Sequence, residues 1–139
     1  MFKQLIQLSF DKIMQTRTYT VIILSSGDKR FAIYTDPSIG KTLQMYLTGV
    51  KKPRPLTHDL IHMLFKGMDI RVKQIVINDM EDTVYFARLF LEQTNGDIKH
   101  IVEIDARPSD CITIALMAGA PVYCTAEVLE KSIPIENDI

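Results

Sequence analysis

The sequence predicts a single α+β domain, in which a mixed, mainly antiparallel sheet carries three to four helices. Segments rich in Ile, Leu and Val recur along the chain between turn residues, which is typical of strands. Apolar residues at helical spacing follow Asp36-Pro37 and Thr57, and a third apolar run follows Arg107-Pro108. Because 139 residues suit one domain, we expect it to span residues 1–131, with 132–139 as a tail.

The first half of the chain predicts three strands and two helices. The strands are Leu5–Asp11, Tyr19–Leu24 and Phe31–Tyr34. The first helix begins at Pro37, because Asp is a favoured N-cap and Pro a favoured first helical residue, and it ends at Gly49. After a basic loop, the second helix is expected over Thr57–Met68, with one apolar face formed by Leu60, Leu64 and Met68.

The second half predicts a hairpin between further strands and helices. We expect a strand over Ile70–Asn78, an acidic loop over Asp79–Asp82 and a strand over Thr83–Gln93. Asn95-Gly96 is a strong hairpin signal, so the chain should return over Ile98–Asp105. The remaining elements are a helix from Pro108 that ends at Gly119, a strand over Pro121–Cys124 and a short helix over Ala126–Lys131.

The hairpin turn predicts which residues face each other. A two-residue turn at Asn95-Gly96 places Arg88 opposite Glu103 and Glu92 opposite Lys99, two pairs of opposite charge. One face should meet the core through Ala87, Leu89, Leu91, Val102 and Ile104. The other face carries Arg88 between Phe86 and Phe90. That arginine forms either a structural salt bridge beneath a partner subunit or part of a binding surface.

Exposed apolar area is expected on the same hairpin and on the second helix. Phe86 and Phe90 flank a charged strand position, and Met63, Phe65 and Met68 leave apolar side chains on the helix. Surfaces of this kind usually mark interfaces. We therefore expect a homo-oligomer, most simply a two-fold dimer.

Composition limits the classes of function. The net charge is −1, from 16 basic and 17 acidic residues, so any contact with nucleic-acid phosphates must be local. Cys111 and Cys124 cannot form a disulfide framework or a zinc site and are expected to be buried, reduced thiols. We find neither a signal-peptide pattern nor an apolar run long enough to cross a bilayer, so we expect a cytoplasmic protein with no membrane partner.

Three short motifs favour structural interpretations. Gly40-Lys41-Thr42 resembles the end of a phosphate-binding loop, but Thr35 stands where that pattern needs glycine. His58 and His62 have a spacing that could present two imidazoles to one metal, although no third ligand is evident nearby. Asp79, Glu81 and Asp82 could bind a divalent ion, but a solvated turn between strands is the favoured interpretation.

Two helix starts share an order of residue types and are the best functional candidates. Both Arg54–Asp59 and Arg107–Asp110 run from arginine through proline and a hydroxyl residue to aspartate. A helix N-terminus attracts anions through its free N–H groups. The basic side chains that could join such a phosphate site are Lys51, Lys52, Arg54 and Arg107. The two aspartates could instead stabilise the helices by capping, and both interpretations stay open.

The two segments resemble the signatures of the bifunctional nuclease domain family. They read Arg54-Pro-Leu-Thr-His-Asp-Leu60 and Asp105-Ala-Arg-Pro-Ser-Asp110, and Tyr85–Leu89 and Gly119–Tyr123 are also similar to that family. Two positions depart from its pattern, because Asp36–Thr42 stands where a Gly-x-x-Glu-Ala segment is usual and Cys111 where alanine is usual. The resemblance implies an α+β fold, oligomerisation and hydrolysis of both RNA and DNA.

The resemblance and the residue pattern together suggest a metal-assisted nuclease, with DNase and RNase activity. The expected catalytic residues are His58, Asp59, Asp105 and Asp110. His58 would be the general acid or base, and the three aspartates would hold a divalent ion, Mg²⁺ or Mn²⁺. The expected phosphate-binding residues are Lys51, Lys52, Arg54, Arg88, Arg107 and Ser109. The alternative is a non-catalytic, oligomeric binding or regulatory module.

Overall fold

The computed structural model describes residues 4–135, which form a mixed sheet and four helices. The strands are β1 Leu5–Gln15, β2 Thr20–Ser26, β3 Lys29–Thr35, β4 Ile70–Glu81, β5 Val84–Asn95, β6 Ile98–Ala106 and β7 Val122–Thr125. The helices are α1 Pro37–Thr48, α2 Thr57–Gly67, α3 Pro108–Ala118 and α4 Ala126–Lys131. The seven strands lie in the order β3-β2-β1-β7-β4-β5-β6. Only the β4–β7 pair is parallel in this described part, so the predicted α+β class is confirmed.

Helix α3 is the centre of the core. It packs against β4 and β5, and it also contacts α1 and α2. A helix enclosed on several sides must be apolar all round, and Cys111, Ile112 and Ala115 on α3 are fully buried. This arrangement fixes the start of α3 next to the starts of α1 and α2.

The start of α1 follows the sequence prediction. The Asp36 carboxylate accepts hydrogen bonds from the backbone N–H groups of Ser38 and Ile39, and Gly49 ends the helix with a φ of 69°. Gly40 is needed for close packing, because a Cβ there would lie 1.8 Å from Gln15 Oε1 and 2.1 Å from Thr20 Oγ1. The glycine of the Gly40-Lys41-Thr42 motif therefore has a packing role.

The acidic loop predicted over Asp79–Asp82 was wrong. Strand β4 continues to Glu81, which pairs with Val84. The turn is reduced to Asp82 and Thr83, whose φ angles are 48° and 71°. Two positive φ angles are what a tight hairpin turn requires, so the strands stay paired up to the turn.

The predicted register of the β5–β6 hairpin was also wrong, by two residues. Asn95 pairs with Ile98, so the turn residues are Gly96 and Asp97, and Arg88 lies opposite Asp105. An even shift keeps every side chain on its predicted face. Both predicted ion pairs consequently form across a diagonal, with 3.4 Å from Arg88 Nη1 to Glu103 Oε2 and 3.7 Å from Lys99 Nζ to Glu92 Oε1.

The core-facing prediction holds for β5 and fails for β6. Ala87, Leu89 and Leu91 are buried, whereas Val102 is 49% exposed and Ile104 39% exposed. Strand β6 is the edge of the sheet, and the helices pack on β4 and β5 instead. The apolar side chains of β6 thus share the core-facing side of the sheet without being covered.

The described part of the predicted tail contacts the domain. Ser132 is buried, and the Ile135 N–H donates a hydrogen bond of 2.8 Å to the Arg30 carbonyl on β3. Residues 136–139 of that predicted tail lie outside the described residues, and the boundary at 131/132 stays a prediction. Within residues 4–135, the helices are all too short or too polar to span a bilayer.

Candidate functional site

The two signature segments meet through His58 and Asp110. His58 is the second residue of α2 and Asp110 the third residue of α3. The distance from His58 Nε2 to Asp110 Oδ1 is 2.9 Å, across a separation of 52 residues in the chain. This contact brings the two signatures together in space, as a single site built from both requires.

Arg107 extends this pair into a chain of four side chains. Its Nε donates to Asp110 Oδ2 at 3.0 Å, and its Nη1 lies 3.5 Å from Asp36 Oδ2. The hydrogen bond and charge of Asp110 raise the pKa of Arg107 above its ordinary value. The pKa of Asp36 is lowered, first by the hydrogen bond from Ser38 and also by Arg107. The side chain of Arg107 remains 61% exposed, so it can still reach a ligand.

Asp36 was not recognised as a site residue in the sequence. It fitted the pattern of a helix N-cap, and that role is present. Its second carboxylate oxygen faces Arg107, 71 residues further along the chain. Only the packing of α1 beside α3 reveals that contact, and the sequence offers no signal for it beyond the cap.

A groove opens beside the His58–Asp110 pair. Its volume is about 580 Å³. Its polar lining is Ser38, Thr42, Thr57, His58, Arg107 and Asp110. On the far side of Arg107, a second cavity of about 460 Å³ is lined partly by Tyr34, Asp36, Tyr85 and Ser109. Arg107 therefore borders both hollows.

His58 is arranged as a group that could exchange a proton. It is only 7% exposed, and its Nε2 is held by Asp110. Within residues 4–135, its Nδ1 has no hydrogen-bond partner. A neutral imidazole that donates from one nitrogen accepts at the other. A carboxylate that orients a histidine in this way is a common element of general acid–base sites.

Asp59 occupies the same helical position as Asp110 but serves the start of α2. Its Oδ2 accepts a hydrogen bond of 2.7 Å from the Leu56 backbone N–H and lies 2.6 Å from Lys52 Nζ. The hydrogen bond from Lys52 is the main reason that the pKa of Asp59 is lowered. Asp59 thus caps its own helix and holds the basic loop through Lys52. It takes no part in the contact between His58 and Asp110.

The predicted basic residues divide between two places. Lys51 and Arg54 are exposed on the loop before α2, and Arg54 borders a hollow of about 300 Å³ that also includes Lys52 and His62. Arg107 alone of the predicted phosphate-binding residues lines the groove beside His58. The structure therefore brings Lys51, Lys52 and Arg54 together, apart from Arg107.

Ser109 and the two cysteines are enclosed. Ser109 is buried and lies at the wall of the second cavity. Cys111 and Cys124 are buried and free, as predicted. Burial raises the pKa of Cys111 to about 12 and that of Cys124 to about 11. Thiols with such pKa values are inert at neutral pH, so neither is a candidate nucleophile.

Arg88 and Asp105 lie on the hairpin, and neither lines the groove beside His58. Arg88 contacts Glu103 as predicted, and its side chain is 37% exposed. Asp105 is exposed on β6 opposite Arg88. Among residues 4–135, no hydrogen bond or ion pair to the Asp105 side chain is formed.

Within residues 4–135 of a single chain, the three predicted metal ligands do not form one group. Asp110 is engaged by His58 and Arg107, Asp59 by Lys52 and its own helix, and Asp105 lies on the edge strand. Residues 4–135 contain no group of three or more His, Cys, Asp or Glu side chains that could hold a metal ion. The divalent ion stays a prediction.

The fold and the paired signatures define a class of small α+β domains. The chain belongs to the bifunctional nuclease domain family, whose model matches residues 21–136.

An uncharacterized protein of Mycobacterium tuberculosis is 31% identical over 132 residues, covering 91% of this chain and 76% of that protein. Bifunctional nuclease 1 of Oryza sativa subsp. japonica is 28% identical over 82 residues, covering 59% of this chain and 24% of that protein. Bifunctional nuclease 1 of Arabidopsis thaliana is 30% identical over 80 residues, covering 58% and 24%. The similarity thus extends over about a quarter of each plant protein.

Proposed function

We propose that the protein is a nuclease that hydrolyses phosphodiester bonds in RNA and DNA. Membership of the bifunctional nuclease domain family supports the class of reaction. The observation that carries the proposal is the His58–Asp110 contact of 2.9 Å beside an open groove, with Arg107 attached to the same carboxylate. A proton-exchanging group and an exposed guanidinium are what phosphodiester hydrolysis needs at one place.

His58 acts as the general base or acid of the reaction. Water attacks phosphorus, a new P–O bond forms and the P–O bond to the leaving sugar oxygen breaks. The attacking water transfers its proton to Nδ1 of His58. The leaving oxygen takes a proton from solvent water, and His58 returns its proton to solvent after the bond to the leaving oxygen breaks. Asp110 holds the imidazole through Nε2 and stabilises the imidazolium that forms.

Arg107 binds the phosphate and stabilises the charge that develops on it. Its guanidinium is fixed on one side by Asp110 and Asp36, which leaves further N–H groups for oxygen atoms of the substrate. Lys51 and Arg54 provide the next contact for the polynucleotide, because they are exposed on the loop before α2. Lys52 adds positive charge to this loop from a half-buried position, where it is paired with Asp59. With a net charge of −1, binding is expected to be weak and steeply salt-dependent.

The experiment is a cleavage assay on the purified protein with single-stranded RNA and DNA. His58→Asn removes the ionisable ring, and His100→Asn, at an exposed position of β6, is the matched control. We expect His58→Asn to reduce the cleavage rate by about 10²–10⁴-fold, and His100→Asn to leave it unchanged. Full activity of a folded His58→Asn protein would contradict the proposal. The same assay with a chelator tests the predicted Mg²⁺ or Mn²⁺ requirement separately.

A non-catalytic binding or regulatory module is the second candidate. The observation that favours it is that Asp59 and Asp110 are both occupied by basic partners of their own chain. In that case nucleic acid binds without being cleaved, and both histidine variants behave alike. For either function we propose a cytoplasmic location, which the free cysteines support because reducing compartments preserve thiols.

A further inference from the structure

The second cavity, which shares Arg107 with the groove beside His58, has the size and the lining of a ligand site. Its volume of about 460 Å³ lies within the range of roughly 300–1,000 Å³ that small-ligand sites occupy. Its lining includes two aromatic residues, Tyr34 and Tyr85, together with Arg107 and Ser109. Among the described residues that line the groove beside His58, none is a tyrosine or a phenylalanine. The cavity therefore offers a flat apolar ligand group contacts that the groove does not.

Strand β3 forms one wall of the cavity and presents backbone groups that its neighbour β2 does not use. The Arg30 carbonyl points away from β2, because it accepts the hydrogen bond from the Ile135 N–H. In an antiparallel ladder, every second residue directs its N–H and C=O to the same side, so Ala32 and Tyr34 point outward as well. Both line the cavity, and within residues 4–135 their outward groups form no hydrogen bond. These neighbouring donors and acceptors suit the hydrogen-bonding edge of a nucleobase.

The start of α3 supplies a place for a phosphate at the same cavity. Ser109 is only 3% exposed. Its backbone carbonyl accepts from Thr113, but its hydroxyl has no hydrogen-bond partner within residues 4–135, which is unusual for a buried polar group. The side chain of Arg107 does not cap the helix, so the first N–H groups of α3 are free to bind an anion. The Asp36 carboxylate in the same lining is already occupied by Arg107 and by the start of α1.

The two tyrosine rings of the cavity are held in place by other aromatic residues. Tyr34 is 65% exposed, and its ring makes an edge contact with Tyr19 at 5.4 Å between ring centroids. Tyr85 stacks on the buried ring of Phe31 at 5.5 Å, with an angle of 25° between the planes. Aromatic side chains that are already positioned can stack on a nucleobase of any sequence.

We propose that the second cavity is a nucleobase subsite. A phosphate group of the nucleic acid binds Arg107 and Ser109, and the base next to it enters the cavity, where it stacks on Tyr34 and pairs with the outward backbone groups of Ala32 and Tyr34. The proposal rests on the proposed nuclease function, because Arg107 borders both this cavity and the groove that contains His58. These contacts involve the base and the phosphate, so RNA and DNA are bound alike.

The first test compares the affinities of adenosine monophosphate, ribose phosphate and inorganic phosphate by calorimetric titration. We expect adenosine monophosphate to bind about tenfold more tightly than ribose phosphate, because the base adds a stacking contact. Tyr34→Ala should remove this advantage and leave the affinity for ribose phosphate unchanged, whereas Tyr34→Phe should retain it. Arg107→Gln should weaken the binding of all three compounds.

The matched control is Tyr46→Ala, which removes another exposed tyrosine outside the cavity and should keep the advantage of the base. Equal affinities of the unchanged protein for adenosine monophosphate and ribose phosphate would overturn the proposal. So would an undiminished advantage in a Tyr34→Ala protein that circular dichroism shows to be folded. Adenosine monophosphate contains no phosphodiester bond, so this result does not depend on cleavage: a protein without nuclease activity can still show the subsite, and an active nuclease can still lack it.

The second test uses a longer ligand and addresses whether a base enters the cavity. A base can reach the cavity only when it is not stacked and paired in a duplex. Tyr34→Ala should therefore weaken the binding of a labelled single-stranded oligonucleotide by about tenfold and leave the binding of the corresponding duplex unchanged. An equal loss for the single strand and the duplex would mean that Tyr34 contacts the backbone of the nucleic acid, and it would overturn the subsite.

Discussion

Helices α2 and α3 begin with the same order of residue types, yet their aspartates contact different partners. Asp59 and Asp110 are both the third residue of their helices. Asp59 accepts a backbone N–H from its own helix start and pairs with Lys52. Asp110 accepts nothing from its own N-cap backbone and instead joins Arg107 to His58 on the other helix.

The spacing of arginine explains the difference. Arg107 is three residues before Asp110 and is itself the N-cap of α3, so its side chain reaches the carboxylate within one turn. Arg54 is five residues before Asp59, and Lys52 takes the corresponding place on that carboxylate. A shared motif can thus yield a structural cap at one helix and a candidate reactive group at the other.

The largest effect expected from this comparison concerns the two aspartates. Asp110→Asn should lower the cleavage rate by about 10²-fold or more, because the imidazolium of His58 loses its stabilising charge. Asp59→Ala should leave cleavage within a few-fold of normal and reduce the free energy of unfolding by about 1 kcal/mol, the usual effect of losing a helix cap. Cleavage and thermal melting measured on both variants separate the two roles. Equal loss of cleavage in both would break the comparison.

Replacement of Arg107 and of Arg54 should also have different effects, but the difference should be smaller than that between the two aspartates. Arg107→Gln removes the guanidinium that borders the groove, so cleavage should fall more than binding. Arg54→Gln removes an exposed charge from the basic loop, so binding should weaken uniformly across sequences and its salt dependence should become less steep. Titration of labelled oligonucleotides at several salt concentrations, beside the cleavage assay, measures both. An unchanged salt dependence for Arg54→Gln would remove that loop from the nucleic-acid path.

The sequence predicted local features better than distant contacts. The cap and end of α1 follow from Asp36, Pro37 and Gly49 alone, since those signals act within a few residues. The hairpin at Gly96 was located, but its register was not, because Asn95-Gly96 and Gly96-Asp97 both suit a tight turn and only the ladder of β5 and β6 decides between them.

The candidate site also depends on contacts between distant residues, which the sequence did not predict. His58 and Asp110 were each predicted as catalytic residues from the two signatures, but their mutual contact spans 52 residues. It depends on how α2 packs against α3, which no local pattern encodes. The grouping of Asp59, Asp105 and Asp110 around one ion stays a prediction. Local patterns could not show that Asp59 pairs with Lys52 and Asp110 with His58 and Arg107.

The smallest expected effect is a pH dependence of stability at Asp59. Its pKa is lowered in the folded chain, chiefly by the hydrogen bond from Lys52, so the ionised carboxylate stabilises the fold. That contribution is fully present above the ordinary aspartate pKa of about 4, and it is lost as the pH falls through the lower folded-state value. Asp59→Asn keeps an acceptor for the Leu56 N–H but loses the charge, so it should cost less than about 1 kcal/mol at neutral pH.

Denaturant unfolding of the unchanged protein and of Asp59→Asn, from neutral pH down into the acid range, measures this difference. The two stabilities should converge as the pH falls from the ordinary aspartate pKa through the lower folded-state value, because the carboxylate of the unchanged protein is neutral only below that lower value. Asp79→Asn is the matched control. Asp79 accepts a hydrogen bond of 2.8 Å from the Met80 backbone N–H, which asparagine can also accept, and its ion pair with Lys131 is long at 3.9 Å. This variant should therefore show little difference at any pH. If the difference in the free energy of unfolding between the unchanged protein and Asp59→Asn persists at low pH, the ion pair with Lys52 is not the cause of that difference. The assignment of Asp59 to a structural role would then rest on the backbone cap alone.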